Sequence, residues 1–252
     1  MVAAVKLHRH VGRRRAARFL AEGPNLVEAA LRRGLVSEVF ATEDAAHRFG
    51  AMLADVPVHL VTERAAKALS ETVTPVGLVA LCTIPQTSLD DVLAESPRLV
   101  AVAVEMSEPG NAGTLIRIAD AMGADAVVFA GHSVDPYNGK CLRASAGSIF
   151  SIPVVSDSDA ALAVARLAGA GLQVFATTVD GETSLDSPDL EAALSQPTAW
   201  LFGPEAHGLP VDLAASATHR VHIPMPGNAE SLNVAAAAAI CLYQSARAQR
   251  RS

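Results

Sequence analysis

Three short stretches of the 252-residue chain gather residues able to grip a small molecule or act on one: Glu108-Pro109-Gly110-Asn111-Ala112-Gly113, then "LFGPEAHGLP" from Leu201 to Pro210, then "HIPMPGNAESLNVAAAAA" from His222 to Ala239. Each follows an apolar run that reads as a strand. In open parallel sheets, ligands settle beyond the carboxyl ends of the strands, where helix N-termini offer unpaired N–H groups. The first stretch opens a helix in which Arg117 stands among Leu115, Ile116, Ile118 and Ala119. A guanidinium stays charged, so Arg117 is suited to clamping a phosphate or stabilising developing negative charge, and poorly suited to taking up a proton.

Taken singly, each stretch also has an ordinary explanation. Gly110 and Gly113 can serve a tight turn, and Asn111 can cap the helix. Gly203-Pro204 and Gly208-Leu209-Pro210 can be turn punctuation. Ser231 is a good N-cap for an Ala-rich helix that is apolar all round and hence buried. Neither the G-x-G-x-x-G spacing nor a phosphate-binding G-x-x-x-x-G-K-[ST] occurs, which counts against a nucleotide- or NAD-dependent enzyme. His219 and His222 form an H-x-x-H pair, but that spacing in a strand puts them on opposite faces and no third ligand is evident, so no metal site is expected. Cys141 has Lys140 and Arg143 beside it, which could lower its pKa, although a packed thiol is the simpler reading.

The elements that must position these residues alternate between strand and helix. From Arg98 the pattern gives strand 99–105, helix 111–123, strand 125–130, a polar loop "GHSVDPYNGK", helix 139–147, strand "IFSIPVV" and helix 158–169. Strands "GLQVFATTV", "TAWLFGP" and "THRVHIP" follow, with a last helix from Ser231 to about Arg247. Apolar strands between helices argue for an α/β domain with a mostly parallel sheet covered on both faces. A smaller α/β unit precedes it, ending near residue 85. Its helix starts at Pro24 and stops at Gly34, followed by "LVSEVFAT", "EDAAHRFGAMLA", "VPVHLV", "ERAAKALSE" and "VGLVALCTI". The Pro-bounded, acidic "PQTSLDDVLAESP" reads as a linker. The expected domains are therefore 1–85, a linker 86–97, and 98–252.

Half of the residues are apolar and only 4% aromatic, as in a globular protein of close-packed small side chains. No apolar run approaches bilayer length, and the basic N-terminus lacks the apolar core of a signal peptide. Three distant cysteines fit a reducing, cytoplasmic setting. The net charge of −6 hides an asymmetry: Lys6, Arg9, Arg13, Arg14, Arg15, Arg18, Arg32 and Arg33 face only Glu22 and Glu28 in the first 33 residues. A basic end on an acidic body suits either a polyanionic partner such as nucleic acid or a solubilising tail.

Together the three stretches resemble the sequence motifs of the SpoU (TrmH) family of RNA ribose 2′-O-methyltransferases, within the SPOUT superfamily. The first motif matches from Asn111 through Gly113 and Arg117 to Ala119. The second matches as Phe202-Gly203-Pro204-Glu205 to Gly208-Leu209. The third matches as Ile223-Pro224-Met225 with Glu230-Ser231-Leu232-Asn233-Val234-Ala235. Pro204 departs from the Asn that many members carry there. The match spans about 98–250, and "RRAARFLAEGPNLVEAALRRGLVSEVFAT" is similar to the ribosomal-protein-like RNA-binding domain that precedes the catalytic domain in many members. The resemblance implies S-adenosyl-L-methionine as methyl donor, an RNA ribose hydroxyl as acceptor, a C-terminal trefoil knot, and a homodimer with active sites at the subunit interface. It implies a catalytic Arg117, with Asn111, Glu205, Ser231 and Asn233 completing the polar wall and Gly203, Ile223 and Leu232 contacting the donor. The reaction would be in-line attack of the ribose oxygen on the methyl carbon, helped mostly by alignment. Ribosomal RNA is the expected substrate; transfer RNA, or a non-catalytic RNA-binding dimer, is the alternative.

Overall fold

A computed structural model describes residues 2–204 and 207–251. The chain forms two compact units, one of residues 1–86 with 135–150, the other of 87–134 with 151–252.

The first unit holds helices α1 (Val2–Val5), α2 (His10–Ala16), α3 (Pro24–Arg32), α4 (Glu43–Phe49) and α5 (Glu63–Leu69). Its strands are β1 (Arg18–Glu22), β2 (Val36–Ala41), β3 (Val58–Leu60) and β4 (Leu78–Thr83). They pair in the order β1-β4-β2-β3, with β4 antiparallel to both neighbours and β3 parallel to β2. Gly23, at a φ of +86°, turns the chain out of β1, and Pro24 then begins α3 where its missing N–H is harmless. Leu26, Val27 and Ala30 recur at helical spacing and are buried. Thr42 and Thr62 cap α4 and α5 by accepting from the amides of Ala45 and Ala65.

The late segment 135–150 completes this unit's core. Phe19 of β1 lies 5.0 Å, ring to ring, from Tyr137 and 5.8 Å from Phe150. Arg13, counted in the sequence among a uniformly basic end, is 4% exposed. Its Nε donates to Asp135 at 2.6 Å, and a terminal nitrogen donates to the carbonyls of Leu7 and His8. The exposed basic surface is thus carried by Arg9, Arg14, Arg15 and Arg18, while Arg13 is a structural ion pair.

The second unit begins with α6 (Leu89–Ala94), a short helix within the expected linker, closed by a Ser88–Asp91 capping box. It continues through β5 (Leu99–Val104), α7 (Pro109–Met122) and β6 (Ala126–Ala130). The next helix along the chain, α8 (Gly139–Ser145), belongs to the first unit. Then follow β7 (Val154–Asp157), α9 (Ala160–Gly169), β8 (Gln173–Thr177), β9 (Thr183–Ser184) and α10 (Glu191–Leu194). The chain ends with β10 (Thr198–Phe202), α11 (Val211–Ala215), β11 (His219–His222) and α12 (Val234–Gln249).

The seven strands pair in parallel throughout, in the order β7-β6-β5-β10-β8-β11-β9. β5, β6 and β10 are buried along their whole length, which is why they read as unbroken apolar runs. Val100, Val102 and Val104 join Val92, Val164, Leu167 and Leu213 in one core, beneath α6, α9 and α11. On the sheet's other side α12 packs against α7, β5 and β10. There the indole N–H of buried Trp200 donates to the hydroxyl of buried Ser245 at 2.8 Å. No helix among the described residues is long and apolar enough to cross a membrane.

Three local expectations change. "IFSIPVV" is not one strand: Gly147 adopts a φ of +98°, residues 148–150 form a helical turn, and β7 starts only after Pro153, which has no N–H to pair. α7 starts at Pro109 with Glu108 as its N-cap, so Asn111 sits inside the first turn. α12 is capped by Asn233 instead of Ser231, and it is not buried all round, since Ile240 and Tyr243 are exposed.

Arg13 and Arg14 make a direct comparison. Arg13→Ala leaves the partly buried Asp135 without its partner and is expected to cost about 1.5–3 kcal/mol in urea unfolding. Arg14→Ala should stay within about 0.5 kcal/mol. Equal, small losses would show that the Arg13 ion pair does not hold the unit together.

Candidate functional site

The order of strands places the three motif stretches. α7 leads from β5 to β6 on one side, whereas α11 leads from β10 to β11 on the other, so β5 and β10 flank the point where the winding reverses. The first motif leaves β5, the second leaves its neighbour β10, and the third leaves β11.

At the end of β5, Glu105 takes a left-handed conformation with φ of +49°, which turns the chain sharply before α7. The Glu108 carboxylate accepts from the amide of Gly110 at 3.2 Å, and the Thr114 hydroxyl donates to the Gly110 carbonyl. Leu115, Ile116 and Ala119 turn inward and are buried, which leaves Arg117 on the exposed side of the helix. It makes no ion pair among the described residues. Its charge is therefore not neutralised by any described side chain.

Gly203 follows β10 where there is no room for a side chain. A Cβ there would lie 2.6 Å from the carbonyl carbon of Gly208 and the nitrogen of Leu209. The loop folds back on itself, with the Gly208 amide donating to the Pro204 carbonyl at 2.8 Å and Gly208 at a φ of +66°. Pro204 fits this turn as an acceptor only. Glu205 lies outside the described residues.

The third motif meets the first through side chains. Asn233 accepts from the Ala235 amide with its Oδ1 at 3.0 Å, which leaves its Nδ2 to donate to Oδ1 of Asn111 at 3.2 Å. Because the backbone contact fixes which end of the Asn233 amide is oxygen, the direction of the second hydrogen bond is fixed as well.

A cavity of about 700 Å³ opens between the second and third motifs. Gly203, Ile223 and Leu232, the residues expected to contact a donor, all line it, as does Ser231. Asn111, Asn233 and Arg117 do not; the two asparagines bond to each other, with Arg117 farther along α7. The cavity also contains a wall that sequence reasoning missed, the loop Thr177-Thr178-Val179-Asp180 after β8, together with Arg220 of β11. The signal was available, since "GLQVFATTV" is another apolar strand with a polar loop at its carboxyl end.

Other candidate chemistry falls away. Cys141 is buried, and its thiol is pushed up to about 12, first by burial and then by the charge of Asp135. That is opposite to the activation Lys140 and Arg143 would give. His219 stacks on Phe175, and His222 hydrogen-bonds through Nδ1 with the Gly181 carbonyl. Among the described residues no three His, Cys, Asp or Glu side chains are grouped to hold a metal ion.

A parallel sheet with a preformed cavity beyond the carboxyl ends of its strands, walled by backbone turns and aliphatic side chains, defines an α/β domain that binds a small organic molecule. Residues 98–243 match the family model described as the SpoU rRNA Methylase family, and residues 3–80 match that of the MRM3-like substrate binding domain. The chain belongs to the SpoU rRNA methylase family. It is 36% identical to the 23S rRNA (guanosine(2553)-2′-O)-methyltransferase RlmP of Bacillus subtilis, over 94% of this chain and 92% of that protein. The crystal structure of the SpoU methyltransferase AviRb from Streptomyces viridochromogenes, in complex with AdoMet, superposes with a TM-score of 0.86 at 29% identity, covering 99% and 97% of the two chains. An AdoMet-bound rRNA methyltransferase from Sinorhizobium meliloti gives 0.83 at 29% identity, covering 98% and 93%.

Gly203→Ala tests the tight closure of the second loop. The added methyl must push Gly208 and Leu209 aside, and we expect a loss of about 1–3 kcal/mol in denaturant unfolding. An unchanged midpoint would mean that the loop does not close so tightly.

Proposed function

We propose that the protein is an S-adenosylmethionine-dependent RNA 2′-O-ribose methyltransferase acting on ribosomal RNA. The observation that carries the reading is the convergence of three distant motifs. The second and third wall one cavity, and the first is tied to them through the Asn111–Asn233 hydrogen bond.

The residues present fit the donor. The cavity has the volume of a small-molecule site and aliphatic walls at Leu209, Ile223, Met225 and Leu232. Gly203, Ile223 and Leu232 would hold it largely through main-chain atoms. When bound, S-adenosylmethionine supplies a methyl group made electrophilic by the adjoining sulfonium.

The chain's own residues do the rest. Arg117 is charged, exposed and unpaired with any described carboxylate, so it can clamp an RNA phosphate and stabilise negative charge developing on the 2′-oxygen. A guanidinium holds its protons, so the hydroxyl proton passes to a phosphate oxygen or water. Asn233 fixes the amide of Asn111, which in turn orients the ribose or Arg117. Ser231 adds a hydroxyl to the cavity rim. No step needs a thiol nucleophile.

Ribosomal RNA is favoured over transfer RNA by coverage. The 23S rRNA relative matches almost the whole chain, whereas a structure described as concerning 2-OH methylation of C/U34 on tRNA covers 62% of this chain and 99% of its own. The first unit, with exposed Arg9, Arg14, Arg15 and Arg18, is the additional RNA-binding surface. An RNA substrate of this kind supports a cytoplasmic location. The exposed apolar stripe of Ala236, Ile240 and Tyr243 on α12 supports a homodimer, and the return of α12 across β5 and β10 supports a trefoil knot.

Methyl mapping of RNA from cells with and without the gene tests the activity and names the nucleotide; loss of a single ribose methyl in ribosomal RNA is expected. Arg117→Ala should keep donor affinity within about twofold and lower turnover by at least ~100-fold. Near-normal turnover would remove Arg117 from the mechanism.

A further inference from the structure

The loop after β8 is built more elaborately than a cavity wall requires. Arg220, on β11, donates to Asp180 at 2.8 Å through one terminal nitrogen and to Glu182 at 2.6 Å through the other. The Thr178 amide donates to the Val221 carbonyl, and His222 bonds to the Gly181 carbonyl. Gly181 approaches β11 so closely that a Cβ would lie 2.7 Å from the Val221 carbonyl carbon. The loop is therefore fixed to β11, and Asp180 is held at the cavity with one oxygen committed to Arg220.

Two features define what this corner can receive. Each terminal nitrogen of the guanidinium is engaged by a carboxylate, so its positive charge is already balanced at this corner and offers little to a ligand carboxylate. Asp180, whose carboxyl Arg220 holds below the ordinary range, is an acceptor only. The corner thus suits a donor of hydrogen bonds. Beside it, Val179 and Val211 line the same cavity while remaining 74% and 82% exposed. An apolar slot next to a fixed carboxylate fits a flat base joined to a sugar carrying hydroxyls. The corner is also remote from Arg117: β8 is two strands from β5, about 10 Å at ordinary strand spacing.

We propose that Asp180 accepts a hydrogen bond from one ribose hydroxyl of the methyl donor's adenosine, with Arg220 as its positioning residue. The assignment rests on the reading of the cavity as a donor site. It makes the loop after β8, rather than any of the three motifs, the part that recognises the sugar.

Calorimetry tests it with S-adenosylhomocysteine, 5′-methylthioadenosine, which lacks the amino-acid tail, and the 2′- and 3′-deoxy forms of the latter. Asp180→Asn should weaken S-adenosylhomocysteine and 5′-methylthioadenosine alike, by at least about tenfold. With the deoxy ligand lacking the hydroxyl that Asp180 receives, wild type and variant should bind equally. Arg220→Gln should repeat this hydroxyl-dependent loss to a smaller extent, whereas a merely structural effect would weaken every ligand. A deficit confined to S-adenosylhomocysteine, a deficit that persists with both deoxy ligands, or no deficit overturns the assignment. If the wild-type protein binds none of the four, the donor-site reading itself fails, and this assignment with it.

Discussion

A buried indole N–H must find an acceptor, and in this fold that requirement helps fix the last helix. Trp200, in the middle of the parallel sheet, donates to Ser245 of α12, and near the end of α12 the Gln249 amide donates to the carbonyls of Arg98 and Gln196. Losing the Trp200 bond would strand a polar atom in the core at a cost of about 1–3 kcal/mol. With α12 anchored across β5 and β10, its capping residue Asn233 arrives beside Asn111. The polar edge of the cavity is thus a consequence of core packing one helix length away. The chain joins residues more than a hundred positions apart without a flexible tether.

The cavity and the exposed arginine divide the work by material. Gly203, Gly208 and their neighbours offer backbone groups and aliphatic surface, the material suited to a neutral base and to excluding water. Arg117 contributes charge from a helix face the fold leaves uncovered. The same division appears in the first unit, where Arg13 is spent on Asp135 while adjacent Arg14 and Arg15 stay in solvent. Neighbouring arginines of one run are therefore divided between the fold and the surface, according to which side of a short helix each occupies.

Much of this was legible in the sequence, because parallel strands buried on both faces leave unbroken apolar runs and the loops after them carry the polar residues. β5, β6 and β10 were read within a residue or two for that reason. β1 was missed, since "RFLAE" is short and opens with a charge. "IFSIPVV" misled because its apolar residues serve two purposes: Phe150 packs on Phe19 of the first unit, and only Val154 and Val155 enter β7. The Asn233–Asn111 bond and the Asp180–Arg220–Glu182 group had no local signature. Both join positions that only the strand order brings together.

The first unit takes residues 135–150 from between β6 and β7 of the second, so the polypeptide passes between the two units three times. A ribosome must release Phe150 before Phe19 has both of its aromatic neighbours and before Arg13 has its counter-ion. The leading 86 residues on their own would therefore emerge as an incomplete body, dependent on sequence still inside the exit tunnel.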